Sequence, residues 1–212
     1  LPTIHGTELT LADGSHLPVL ARNPVGYRRL VSAISQHNLD AGHRQEPAHD
    51  LTALASALRS DPTDQTEAAS GSCLVLTGTA NGPLRRALGD PRRPDTWDLK
   101  AADACLGHLT ELFAAPDRGR PLDAGPTTTA HRQVEGDAAI GLAVELTLDG
   151  GPTDAALTDA LTRLAHTHRL PLVATGAVRC ARPIDARLAD VLTATRLVTD
   201  LEGARGHLPA IG

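Results

Sequence analysis

The apolar positions of this chain follow two rhythms. Alternating or short continuous apolar runs mark strands, and apolar residues three or four apart mark helices. Ile4 to Leu11 alternates and is rich in β-branched residues, Ala12-Asp13-Gly14 supplies a turn, and His16 to Ala21 continues as a second strand. The two read as a hairpin-like pair. Asn23-Pro24 is a helix start, with Asn as the cap and Pro at the first helical position. The helix that follows is predicted to place Tyr27, Leu30, Val31 and Ile34 on one face. After a polar stretch from Asp40 to Pro47, Asp50 caps a second helix that turns Leu51, Leu54 and Leu58 to the core. Cys73 to Thr77 reads as a buried strand, Gly78 to Pro83 as a turn, and LRRAL as a short helix. A longer helix is predicted over Asp95 to Phe113, carrying Leu99, Leu106, Leu109 and Leu112.

The last third of the chain organises the rest. AVELTLDGG leads through DAALTDALTRLAHTHR, with Leu157, Leu161 and Leu164 on one stripe, into LPLVATGAV and a further helical run. Such strand, helix, strand, helix alternation implies parallel strands joined by crossover helices. In that architecture functional groups gather where strands end and loops begin, which singles out Thr147 to Gly151 and Gly176 to Cys180. Two segments lack a pattern: about 60–72, and 114–136, the latter long enough to read as a mobile insertion. No internal repeat is present. One α/β domain spanning 1–212 is the expectation.

Composition narrows the functional classes. The chain has one Tyr, one Trp and one Phe (Tyr27, Trp97 and Phe113), so Leu, Val, Ile and Ala must build its core. A net charge of −5 argues against broad attraction to nucleic acid. Cys73, Cys105 and Cys180 lie far apart with no CxxC pair, which fits a reducing compartment. No apolar run reaches the roughly 20 residues of a membrane span and no signal-peptide pattern opens the chain. A soluble, cytoplasmic protein is expected. The start at Leu1, directly in strand-like sequence, suggests a portion of something longer.

Several motifs have ordinary explanations. Arg28-Arg29, Arg85-Arg86 and Arg92-Arg93 could meet phosphates, yet adjacent charges on helices are usually solvated, and that is the reading adopted for all three. Gly78, Gly82, Gly150 and Gly151 lack P-loop or GxGxxG spacing. Cys73 reads as core. Neither a Ser-His-Asp nor a Cys-His constellation follows from spacing.

Taken together, LPTIHGTELTL, ARNPVGYRRLVSAISQHNL, HDLTAL, LVLTGTANGPLRRAL, VELTLDGGPTDAALTDAL and LPLVATGAVRCARPIDARLADVLTATR resemble the PHP (polymerase and histidinol phosphatase) domain of bacterial C-family replicative polymerases. The likeness is to the error-prone, translesion branch of the DNA polymerase III alpha subunit, and it runs in order along the chain outside the two unpatterned segments. The resemblance implies an incomplete, distorted (βα)7 barrel of mostly parallel strands with outer helices. It also implies a metal cluster at the C-terminal mouth, whose earliest ligands would precede Leu1. Glu8 matches a family metal ligand, and Asp149 stands where the family usually has histidine. Ala177 and Arg179 replace an Asp-x-His pair, and a cysteine-ended turn ends instead in Thr79.

An arginine has no lone pair to give a metal, so Arg179 cannot serve. It is predicted to pair with Glu8 or Asp149 in place of the ion. Glu8 itself reads as a polar strand end and Asp149 as a turn residue. His166-Thr167-His168 copies an HxH signature, but on a helix residues two apart face different ways, so solvated helix-end histidines are expected. The resemblance thus implies a non-catalytic scaffold bracing a polymerase body. No cofactor is expected in this chain beyond a residual Zn or Mn ion, Mg²⁺ belonging to the parent polymerase. The alternative is a metal-dependent phosphoesterase or 3′-5′ proofreading exonuclease. The implied partners are the remainder of a polymerase chain or translesion proteins, with DNA met only through them, no membrane, and self-association through an open sheet edge.

Overall fold

The computed structural model describes residues 3–41, 48–59, 72–113, 141–148, 151–176, 180–205 and 208. Among these residues five strands, β1 (His5–Thr10), β2 (His16–Ala21), β3 (Cys73–Leu76), β4 (Gly141–Leu146) and β5 (Leu172–Ala174), form one sheet in sequence order. Among the described residues six α-helices accompany them: α1 (Pro24–Ala41), α2 (Leu51–Arg59), α3 (Pro83–Leu88), α4 (Leu99–Phe113), α5 (Asp154–Thr167) and α6 (Ala186–Arg196). Most of the predicted segments form as read. Their pairing differs.

Among the described strands the expected predominance of parallel pairing is not what forms. β1–β2 and β2–β3 are antiparallel, while β3–β4 and β4–β5 are parallel. For β1–β2 the reason is local. A hairpin turn at Asp13-Gly14, with Gly14 at φ 76, reverses the chain between β1 and β2, and antiparallel strands need no crossover helix. The described strands make an open sheet with edges at β1 and β5, rather than a closed barrel.

One face of that sheet carries the core. Leu9, Leu17, Val19, Val75, Leu142 and Val144 point to it and meet Leu54, Leu58, Leu106, Leu109, Phe113, Leu157 and Leu161 from the helices. The stripe predicted for α5 is buried as expected, with Leu157, Leu161 and Leu164 inward. Two other stripes hold in part, with Leu30 and Ile34 of α1 and Leu106, Leu109 and Leu112 of α4 at the core as predicted, but each helix is turned from the predicted face. On α1 the inward residues are Gly26, Arg29, Leu30 and Ala33, whereas Tyr27 and Val31 are exposed. Gly26 explains the rotation: a Cβ there would sit 1.9 Å from the Ser72 carbonyl oxygen, so the glycine side of the helix presses on the sheet. On α4 the helix begins at Leu99, capped by Asp98, whose Oδ1 accepts the Ala101 N–H at 2.9 Å. Leu99 is therefore exposed, and Ala102, Leu106, Leu109 and Phe113 form the buried stripe.

The three arginine doublets divide. Arg92 and Arg93 are exposed as predicted, but Arg29 and Arg85 are buried, which corrects the solvated-face reading for both. Arg29 Nη1 donates to the Leu58 carbonyl at 3.3 Å and to Ser72 Oγ at 3.2 Å. It thereby ties the end of α2 to the start of β3. The unpatterned segment 114–136 lies outside the described residues, as does 60–71, whereas Ser72 is buried.

Candidate functional site

Several of the buried polar side chains collect at the C-terminal ends of the parallel strands. Thr77 follows β3, Glu145 is the last residue but one of β4, Thr147 comes just after that strand, and Thr175 follows β5. Thr77, Glu145 and Thr147 are buried. A buried polar group costs stability unless it is hydrogen-bonded, and these four residues largely answer one another. Thr77 Oγ1 accepts the Glu145 N–H at 3.0 Å, and Thr175 Oγ1 donates to Glu145 Oε1 at 2.5 Å. Arg85, from α3, donates through Nη1 to Thr147 Oγ1 at 3.0 Å.

The turn between β3 and α3 makes that reach possible. Gly78 has φ 81, and a Cβ on it would lie 2.6 Å from both Gly82 Cα and the His16 carbonyl oxygen. Gly82 has an ordinary φ of −70, but a Cβ there would fall 2.3 Å from the Thr77 carbonyl oxygen. The paired glycines let the turn fold back on the strand end, Pro83 starts α3, and Arg85 is delivered over the β4 terminus.

On the sheet face opposite the core, pairing of Glu8 with Pro18 and of Thr10 with His16 makes Glu8 and His16 diagonal neighbours. Glu8 Oε2 lies 3.7 Å from His16 Nδ1, and both side chains remain partly solvated. Glu145 faces the same side. Its carboxyl is pushed above the ordinary 4.5, first by burial and further by the Glu8 charge, while the Thr175 hydroxyl, Arg85 and the Gly78 backbone act in the opposite sense. Its second oxygen, Oε2, has no hydrogen-bond partner. A carboxyl raised in the folded state holds its proton more tightly folded than unfolded. The resulting stability is complete below the ordinary value and is lost as pH rises through the folded value. Glu145→Gln is therefore expected to gain stability relative to the parent as pH is raised from 4 to 7, measured by urea midpoints. A pH-independent difference would show that Glu145 does not titrate as its surroundings dictate.

Of the residues singled out from the sequence, Glu8 lies on β1 as read. Asp149, Ala177 and Arg179 lie outside the described residues. A divalent ion needs several donors, and no three His, Cys, Asp or Glu side chains come together among the described residues. Glu8 and His16 with the open oxygen of Glu145 do not make a fitted metal site, so no metal-dependent step is derived from them. His166 is exposed at the end of α5, but His168 is not a solvated histidine: its Nε2 is 2.9 Å from Asp103 Oδ1 on α4. Sequence reading did not single out Glu145 or Arg85 as site residues. A charged residue inside the apolar run GLAVEL was the available signal for Glu145.

These features define a mixed α/β domain whose buried polar network sits at the ends of parallel strands. No protein-family model matches the chain. It is 32% identical over 220 residues to an error-prone DNA polymerase of Mycolicibacterium paratuberculosis, covering 99% of this chain and 16% of that protein. The error-prone DNA polymerase of Cutibacterium acnes is 33% identical over 221 residues, again 99% of this chain and 16% of the relative. That of Nocardia farcinica is 34% identical over 199 residues, 94% of this chain and 14% of the relative. The chain is a homologue of a segment of the error-prone DNA polymerases.

Proposed function

We propose that the chain is a non-catalytic, PHP-type portion of an error-prone polymerase of the DNA polymerase III alpha kind, and that it supports the polymerase body during translesion synthesis and repair. The observation that carries this reading is kinship over 99% of the chain with proteins of which it spans only 16%. The strand-end network supports it: Arg85, Thr147, Thr77, Glu145 and Thr175 are engaged with one another. In this reading Arg179 pairs with Glu8 or Asp149 in place of an ion. Nucleotide addition and DNA contact belong to the rest of the polymerase, and Mg²⁺ with them. The sheet edges at β1 and β5 are the places where the chain would add strands from a partner or a second copy.

A second reading, a metal-dependent phosphoesterase or 3′-5′ exonuclease, draws on the proximity of Glu8 to His16 and on the open Glu145 oxygen. Elemental mass spectrometry on untagged protein decides between them, with Glu8→Ala alongside. The scaffold reading expects no stoichiometric metal and no primer extension by the isolated chain. Zinc or manganese at one or more equivalents, lost in Glu8→Ala, would overturn it in favour of hydrolysis.

A further inference from the structure

The C-terminal helix is amphipathic in the wrong sense for a chain that stands alone. α6 buries its small residues, Ala186 and Ala194, and turns Leu188, Val191 and Leu192 outward. Ile184 before it and Leu197, Val198 and Leu201 after it are large apolar side chains that are exposed as well. A surface helix ordinarily turns its large apolar side chains inward, and contiguous exposed apolar surface marks an interaction site. Among the described residues, the main packing of α6 is with the short turn Pro183–Asp185 that leads into it.

The end of this helix adds an independent observation. The Thr199 N–H donates to the Ala194 carbonyl and the Val198 N–H to the Thr195 carbonyl, both at 3.1 Å, which closes the helix in a Schellman motif. Val198 takes the left-handed position, φ 53, that favours glycine and is adverse for a β-branched residue. α5 ends in the same motif, with Arg169 at φ 54, but there the next residue, Leu170, is buried in the core. Val198 is 91% exposed. Its side chain therefore costs conformational strain and gains no burial within this chain.

We infer that the exposed residues Ile184, Leu188, Val191, Leu192, Val198 and Leu201 form a docking surface for polymerase polypeptide outside the segment this chain matches. The inference rests on the proposed polymerase reading and locates the contact. Length supplies the occupant: the matched relatives carry this segment as 16% or less of a much larger chain. Charge excludes nucleic acid as the occupant, because Arg187, Arg196 and Arg205 on the rim alternate with Asp190, Asp200 and Glu202 instead of forming a basic face. An apolar centre with a mixed polar rim is the composition of a protein interface.

The test substitutes this chain for its matching segment in the full-length error-prone DNA polymerase of Mycolicibacterium paratuberculosis, of which it spans 16%. Hydrogen exchange over residues 186–201 is compared between that graft and the isolated chain. Exchange is expected to slow by at least about tenfold in the graft. Leu188→Asp combined with Leu192→Asp is expected to abolish the slowing without lowering the melting midpoint of the isolated chain. Val198→Gly is expected to raise that midpoint, since glycine relieves the strain, while weakening protection in the graft. Equal exchange in a folded graft and in the isolated chain would overturn the docking surface and leave the polymerase reading standing. A concentration-dependent dimer of the isolated chain with α6 already protected would overturn the choice of occupant. A graft that fails to fold, where the parent polymerase folds, would count against the polymerase reading and the inference with it.

Discussion

Replacing Gly82 by alanine is expected to destabilise the chain by about 3 kcal/mol or more, one of the largest effects of any single methyl addition here. The argument is steric. Gly82 has an ordinary φ of −70, so alanine would suit its backbone conformation. The added Cβ, however, would lie 2.3 Å from the Thr77 carbonyl oxygen and 2.6 Å from Gly78 Cα. Both are backbone atoms, and neither can swing aside. Relief requires moving α3 away from the strand end, and that motion draws Arg85 off Thr147. A melting curve should show a drop of roughly 6–12 °C for a chain of this size. The comparison with Ala87→Gly, a small change on the same helix, separates loss of close approach from loss of helix propensity. If Gly82→Ala melted with the parent, the packing of the two glycines would not be what holds the turn.

Replacing Arg29 by alanine is expected to cost about 3–4 kcal/mol, because its guanidinium is buried and hydrogen-bonded to the buried Leu58 carbonyl and Ser72 hydroxyl. The Leu58 carbonyl belongs to the last turn of α2, where helix carbonyls lose their intrahelical partners. Ser72 Oγ lies just before β3. Alanine would strand both in the interior and remove the packing of the arginine stem. Lysine should recover only part of the loss, since a single ammonium lacks the planar fork. Urea denaturation of Arg29→Ala, Arg29→Lys and Ser72→Ala tests the account. A parent-like midpoint for Arg29→Ala would mean the buried guanidinium is dispensable.

These two residues show where sequence reading succeeds and where it stops. The hairpin at Asp13-Gly14, the helix start at Asn23-Pro24 and the α5 stripe were legible because each depends on neighbours within a few positions. Asn23 Oδ1 does accept the Gly26 N–H, at 2.9 Å. Strand pairing direction beyond the hairpin, by contrast, is set between segments far apart, and the strand-helix alternation of the last third gave no sign that β2 and β3 run antiparallel. Arg29 and Arg85 were read as solvated because doublets on helices usually are. Their burial depends on what lies opposite, Ser72 and Leu58 for one and Thr147 for the other. The rotation of α1 has the same origin, since Gly26 marks the buried side only once Ser72 is known to lie against it. Glu145 escaped notice because one carboxylate in an apolar run has no pattern of its own.

The mixed sheet also dictates an order of assembly. β1 and β2 join residues no more than 16 positions apart, His5 with Ala21, through a turn that any collapsed chain samples quickly. The β3–β4 ladder joins Leu74 to Gly141 and cannot form until everything between them is out of the way. Loop closure of that span must be met before any ladder bond rewards it, and non-local pairing slows folding accordingly. The hairpin with α1 is thus the early unit and the parallel half the late one. Substitutions that weaken the early β1–β2 hairpin are expected to slow folding, whereas those on β4, whose docking on β3 comes late, mainly quicken unfolding. A nascent chain carrying only the antiparallel half exposes the β3 edge until residues near 141 arrive, which makes that interval the one in which it is most open to misassociation.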